Sequence, residues 1–140
     1  MEHDTDTLAD TYVGLWMEPD REIRRKTIQE LWAFGGAHVL LDPPEAIRDS
    51  AHAIGFRAPA LEVRGYDELE TRVTRTYEEF VAPGQFQFRS RNNASRIGNV
   101  VTFNWEMAPA GGGPAVGAGL DIFVLDNDGR IRIDYQLIES

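Results

Sequence analysis

The chain changes its hydrophobic period once, near residue 85. Before that point apolar residues recur every three or four positions; after it they alternate. Leu8, Tyr12, Leu15 and Trp16 share one face of an amphipathic helix predicted over Thr5 to Met17. The segment "EPD" (18–20) interrupts it, and Asp20 is placed to cap a second helix with buried stripe Ile23, Thr27, Leu31 and Phe34, ended by Gly35-Gly36. "AHVLLDPP" (37–44) reads as a strand stopped by two prolines, which cannot extend a ladder. Within the long connection at 43–60, Ala46, Ile47 and Ile54 suggest a short helix. A third helix, "YDELETRVTRTYEEFV" (66–81), aligns Leu69, Val73, Tyr77 and Phe80.

Four strands then follow in succession: "QFQFRS", "NVVTFNWEM", "AVGAGLDIFVLD" and "RIRIDYQLI". Helices first and a meander afterwards predict a single α+β domain over 1–140. In it, a cone-shaped, curved, mainly antiparallel sheet (mixed overall) wraps around three N-terminal helices. In the second of these strands Val101, Phe103, Trp105 and Met107 should face the helices. The third is apolar on both sides: Gly119, Asp121, Phe123 and Leu125 line one face, Leu120, Ile122 and Val124 the other. The last repeats this, with Ile131, Ile133, Tyr135 and Leu137 together. A one-sided sheet needs no second apolar row, so a homodimer joined through the outer sheet face is expected.

Composition narrows the function. The 140 residues are 42% hydrophobic and 26% charged, which excludes wholesale disorder. The net charge of −9 and the lack of a continuous basic face argue against nucleic acid; "REIRRK" (21–26) is a solvated helix face. No apolar run reaches the roughly 20 residues of a membrane span. The acidic N-terminus has neither the basic nor the apolar part of a secretory signal, so a cytoplasmic location is expected. Cysteine is absent, which removes disulfide and thiolate chemistry. Lys26 is the lone lysine among many arginines, a bias of GC-rich bacterial genes.

Several motifs fail on inspection. "AGGGP" (110–114) has no Lys-Ser/Thr or helix after it and is a hairpin turn. "DNDG" (126–129) lacks the spacing and closing Glu of a calcium loop. "NAS" (93–95) fits the glycosylation sequon but has no consequence without secretion. His3, His38 and His52 have no metal-ligand spacing, and neither a metal nor another cofactor is expected. What remains is Asp121, an acid where the alternation requires a buried side chain. A carboxylate so placed must be paired, hydrogen-bonded or protonated.

The element order and three motifs resemble the nuclear transport factor 2-like superfamily, in particular its SnoaL-like and ketosteroid isomerase branches. "TYVGLW" looks like the helix stretch that carries an oxyanion-hole tyrosine, matched by Tyr12. "AHVLLDP" is similar to the stretch whose aspartate shuttles the proton, matched by Asp42. "GLDIFVLDNDGRI" looks like the strand and turn with the second oxyanion donor, matched by Asp121. The resemblance implies a pocket for a small hydrophobic or carbonyl-containing ligand. There Asp42 would be the base, while Tyr12 and a neutral Asp121 would donate to a developing enolate. Trp16, His38, Phe103, Trp105, Phe123, Asp134, Gln136 and Ile138 would line that pocket. Strand alternation also puts Arg132 on the pocket side, where it would hold an acid ionised, and Asp134 could compete with Asp121 for one proton. The implied function is an isomerase or a polyketide cyclase-like enzyme. The alternatives are a non-catalytic ligand-binding or dimerisation domain, or an epoxide hydrolase-like enzyme using Asp134. The hydrolases' companion Arg-x-Asp has no match in "TFNWE".

Overall fold

A computed structural model describes residues 5–41 and 61–139. Asp42 and the connection at 43–60 with its suggested helix lie outside these residues. Helix α1 (Thr5–Leu15) buries Ala9, Tyr12, Val13 and Leu15. Helix α2 (Arg21–Leu31) begins where predicted: the Asp20 carboxylate accepts the backbone N–H of Glu22 at 2.8 Å and of Ile23 at 3.3 Å. Its buried stripe differs from the expected one, since Arg24, Ile28 and Leu31 turn inward while Ile23 is exposed. Its far end differs too. The chain leaves the helix at Trp32, one turn before the glycines, and Phe34 becomes an exposed strand residue.

That strand, β1 (Trp32–Leu41), runs parallel to the last strand, with a register shift between Trp32 and Ala37. Gly35 takes a positive φ of 76° there, and a Cβ on Gly36 would meet the carbonyls of Ala33 and Ile131 at 2.9 Å. The two glycines that were expected to end a helix instead form a bulge. Strand β2 (Leu61–Arg64) pairs antiparallel with β1, and helix α3 (Gly65–Thr76) continues into a π-helical turn at Tyr77–Val81, matching the predicted span.

Strands β3 (Phe86–Ser90), β4 (Ser95–Ile97), β5 (Val100–Pro109), β6 (Gly117–Leu125) and β7 (Ile131–Glu139) complete a seven-stranded sheet in the order β2-β1-β7-β6-β5-β3, with β4 beside β5. Among the described residues only the β1–β7 pair is parallel. Helix α1 packs on β3, β4 and β5, and α3 on β1 and β2. This is the expected α+β cone, a mixed sheet around three helices.

The strand faces follow the alternation in β5 and β6. Val101, Phe103, Trp105, Gly119, Asp121, Phe123 and Leu125 are buried. Strand β7 departs from it. The pairing jumps from Val124–Ile133 to Leu125–Ile131, and the bulge exposes Arg132 while turning Ile131 into the core, fully buried. The expected outer row therefore loses Ile131, and Arg132 leaves the inner side. Beyond the bulge, Asp134, Gln136 and Ile138 point inward as the alternation required. The core is strongly aromatic: Tyr12 has Trp16, Trp32, Phe103 and Phe123 within 4.9–5.8 Å between ring centroids.

Candidate functional site

Three strands and two helices deliver polar side chains into this aromatic core. Register places them: Asp121 on β6 lies opposite Phe103 on one side and Gln136 on the other, and Asp134 on β7 lies opposite His38 on β1. Tyr12 comes down from α1, Trp16 from the residue just after it, and Arg72 from α3. Tyr12, His38, Asp121 and Asp134 are each at most 2% exposed.

Asp121 is the more fully hydrogen-bonded of the two buried acids. Its Oδ1 accepts the Trp105 indole N–H at 2.6 Å and the Gln136 amide at 3.1 Å; its Oδ2 accepts the Tyr12 hydroxyl at 2.9 Å. The Trp105 bond depends on Gly119, directly opposite on β6. A Cβ at Gly119 would fall 2.2 Å from Cζ2 and 2.4 Å from Cε2 of that indole, so only glycine lets the ring lie flat across the strand.

Tyr12 Oη also lies 2.5 Å from Asp134 Oδ2. One hydroxyl proton cannot serve two carboxylates, so one acid must be protonated and donate to the tyrosine oxygen. Three donors on Asp121 stabilise its charge. Asp134 has less support, the Tyr12 hydroxyl and the Arg72 charge alone, and its Oδ1 has no hydrogen-bond partner among the described residues. The proton therefore sits on Asp134, giving the chain Asp134 carboxyl to Tyr12 hydroxyl to Asp121 carboxylate. Burial and then the Asp121 charge push Asp134 well above the usual carboxylate range. Burial also raises Asp121, against the hydrogen bonds that lower it. Burial followed by the two acids holds the Tyr12 hydroxyl protonated.

The cation near the site is Arg72, not Arg132. Its guanidinium donates to His38 Nδ1 at 2.7 Å. An imidazole that accepts at Nδ1 carries its proton on Nε2, and burial followed by the Arg72 charge pushes the His38 pKa well below its ordinary value. Burial also lowers Arg72 itself, to about 10. His38 Nε2 lies 3.8 Å from Asp134 Oδ2, beyond hydrogen-bonding distance, and among the described residues neither it nor the Trp16 indole N–H has a hydrogen-bond partner.

His38, Asp121 and Asp134 can each bring a ligand atom within 4.8 Å of the others, a spacing that a divalent cation could bridge. The surroundings fit a proton better. The Tyr12 hydroxyl already joins the two acids, and Arg72 stands behind the imidazole as a fixed positive charge.

The structure thus gathers Tyr12, Trp16, His38, Phe103, Trp105, Asp121, Phe123, Asp134, Gln136 and Ile138 in or against one core, with the two phenylalanine rings packed on Tyr12. Asp42 lies outside the described residues. Sequence reasoning missed Arg72 and Gly119. Arg72 was within reach: it sits three residues after Leu69 and beside Val73, on the inward face of α3.

No protein-family model matches the chain, and no curated protein matches it in sequence. Solved structures do. A SnoaL-like family protein from Agrobacterium tumefaciens, provisionally named an isomerase, superposes with a TM-score of 0.74 at 23% identity, covering 96% of both chains. A SnoaL-like protein of unknown function from Burkholderia thailandensis gives 0.59 at 13%, covering 96% of this chain and 97% of that one. A nuclear transport factor 2-like protein of unknown function from Mesorhizobium loti gives 0.60 at 15%, covering 100% and 98%. The fold is that of the nuclear transport factor 2-like proteins, with SnoaL-like proteins among its structural neighbours. At these identities the likeness is one of fold.

Proposed function

We propose that this chain binds a small carbonyl compound in the cone and moves a proton on it, as an isomerase or an aldol-type cyclase would. The observation that supports this is the Tyr12 hydroxyl within hydrogen-bonding distance of two buried acids, an arrangement that requires a further proton on one of them. Such a relay has a proton to give, from the Asp134 carboxyl or the Tyr12 hydroxyl, and a carboxylate to receive one, Asp121. General acid–base catalysis needs both. In an isomerisation a proton leaves the carbon beside a carbonyl, the electron pair is held as an enolate, and a proton returns at another carbon. In a cyclisation the enolate carbon bonds to a second carbonyl, whose oxygen takes the proton. Neither consumes an oxidant or a co-reactant. Asp42, the base implied by the family resemblance, would add a third group; the relay does not depend on it. The provisional name of the Agrobacterium protein agrees with the isomerase form.

One observation favours a second reading. Asp121 is so fully bonded that the relay could be a structural anchor in a non-catalytic binding domain. An epoxide hydrolase-like role would need Asp134 as a base, which its retained proton opposes. We further propose a homodimer through the outer sheet face, where Leu120, Ile122, Val124, Ile133 and Tyr135 stay half-buried and Leu137 is 36% exposed.

Deuterium uptake at the α-carbon of a panel of small enolisable ketones in D2O, followed by proton NMR, tests the catalytic form. Wild type should accelerate exchange for at least one compound, and Tyr12→Phe should lower that rate at least about 100-fold, the scale of a lost acid or oxyanion donor. Binding without any exchange would leave the second reading in its place.

A further inference from the structure

Among the described residues, Trp16, His38 and Asp134 of the buried site each carry a polar atom with no hydrogen-bond partner: the Nε1–H of Trp16, Nε2 of His38 and Oδ1 of Asp134. Their residues are 8%, 2% and 0% exposed. Unmatched polar groups this deep are uncommon, and leaving them so costs stability. They are also neighbours. The Trp16 and His38 rings lie 5.6 Å apart, and His38 Nε2 is 3.8 Å from the other oxygen of the same Asp134 carboxyl. The Gln136 side chain lies close enough to favour the charged imidazole, but among the described residues Nε2 has no partner with hydrogen-bond geometry.

Their chemistry is complementary. Arg72 donates to His38 Nδ1, which leaves Nε2 as an N–H donor. The Asp134 proton is directed through Oδ2 to Tyr12, which leaves Oδ1 as an acceptor. The set is two donors beside one acceptor. The donors that the family resemblance assigns to the ligand oxygen, Tyr12 and Asp121, are meanwhile spent on each other.

We propose that the ligand oxygen is held by Trp16 Nε1–H and His38 Nε2–H, and that Asp134 Oδ1 accepts an adjacent hydroxyl or enol O–H. The ligand class is then an α-hydroxy ketone or an enolised 1,3-dicarbonyl. Arg72 is a positioning residue: it fixes the imidazole tautomer and places a positive charge behind the donor that faces the carbonyl. This rests on the site being one for a carbonyl compound, but it concerns recognition and not turnover.

The test uses the full chain with nitrogen-15 in its indoles and imidazoles, titrated with 3-hydroxy-2-butanone carrying carbon-13 at the carbonyl. Before any addition, His38 should show a protonated Nε2 and a bare Nδ1, and Arg72→Met should mix the two tautomers. On titration the Trp16 Nε1 and His38 Nε2 signals should shift and the carbonyl carbon should move downfield. Butanone, which lacks the hydroxyl, and 2,3-butanediol, which lacks the carbonyl, should each bind at least about ten-fold more weakly, the effect of one unmatched buried partner. Trp16→Phe should lose about as much; should it fail to fold, the wild-type signals still decide. A His38 protonated on Nδ1, unmoved Trp16 and His38 nitrogens at tens of millimolar probe, or controls that bind as tightly would overturn the proposal. Loss of deuterium exchange with these signals intact would sink the catalytic reading alone.

Discussion

Replacing Asp134 by asparagine should stabilise the protein, and increasingly so as the pH rises. The amide is nearly isosteric with a protonated carboxyl. Its N–H can donate to Tyr12 where the acid O–H did, and its oxygen can stand at Oδ1, so below about pH 5 the variant should lie within about 1 kcal/mol of wild type. The difference appears on titration. In wild type, folding raises Asp134 well above the ~3.9 of a free aspartate. Between those two values the folded state keeps a proton that the unfolded chain has released, so stability falls with pH at about 1.4 kcal/mol per unit. His38 acts oppositely. Its pKa is depressed, so below about 6.5 the unfolded chain binds the extra proton and stability rises with pH over that window. In wild type the two slopes oppose each other below about pH 6.5, and above that His38 no longer offsets the Asp134 loss. Asp134→Asn keeps the His38 rise and removes the loss. Its stability relative to wild type should therefore grow as the pH rises above the range where free aspartate titrates, by at most about 1.4 kcal/mol per unit. Urea unfolding at half-unit pH steps, with the m-value checked for constancy, measures this directly. Parallel curves would refute the assignment of the proton to Asp134, as would a variant weaker by more than about 2 kcal/mol throughout.

Three further outcomes are expected. Tyr12→Phe removes the group that joins both acids and should cost about 2–3 kcal/mol in urea unfolding at pH 7; a cost under about 0.5 would mean that the bridge carries little. Gly119→Ala places a methyl inside the Trp105 indole and should cost about 1–3 kcal/mol. It should also shift the Trp105 indole N–H resonance as the bond to Asp121 breaks, and an unchanged resonance would show that the ring does not lie over Gly119. Sedimentation equilibrium at micromolar concentration should give a dimer that Ile122→Lys dissociates, and a wild-type monomer would remove the outer-face interface.

The sequence carried the fold because its determinants are local and periodic. The change of period at residue 85 separates helices from sheet, and alternation in β5 and β6 alone placed Val101, Phe103, Trp105, Asp121 and Phe123 inside. It misled wherever a single backbone irregularity resets the phase. The bulge in β1 turned an expected helix end into strand and put Phe34 in solvent. The bulge in β7 reversed Ile131 and Arg132. Site membership was legible for the same reason as the core: a polar residue in an apolar row must be used. The internal wiring was not. That Tyr12 joins Asp121 to Asp134 across 109 and 122 residues, and that Arg72 meets His38, follow from how α1 and α3 settle on the sheet. No pattern along the chain encodes which of two neighbouring acids gains three donors and which keeps the proton.

That distribution of one proton is the centre of the account. Carbon-13 NMR of the aspartate carboxyl groups, assigned through Asp121→Asn and Asp134→Asn, measures it directly across pH 3 to 9. Two buried carboxyls should titrate as a coupled pair. At pH 7 the resonance lost in Asp134→Asn should be that of a protonated acid, and the one lost in Asp121→Asn that of a carboxylate. Two ionised carboxyls at pH 7, or a proton on Asp121 beside an ionised Asp134, would contradict it.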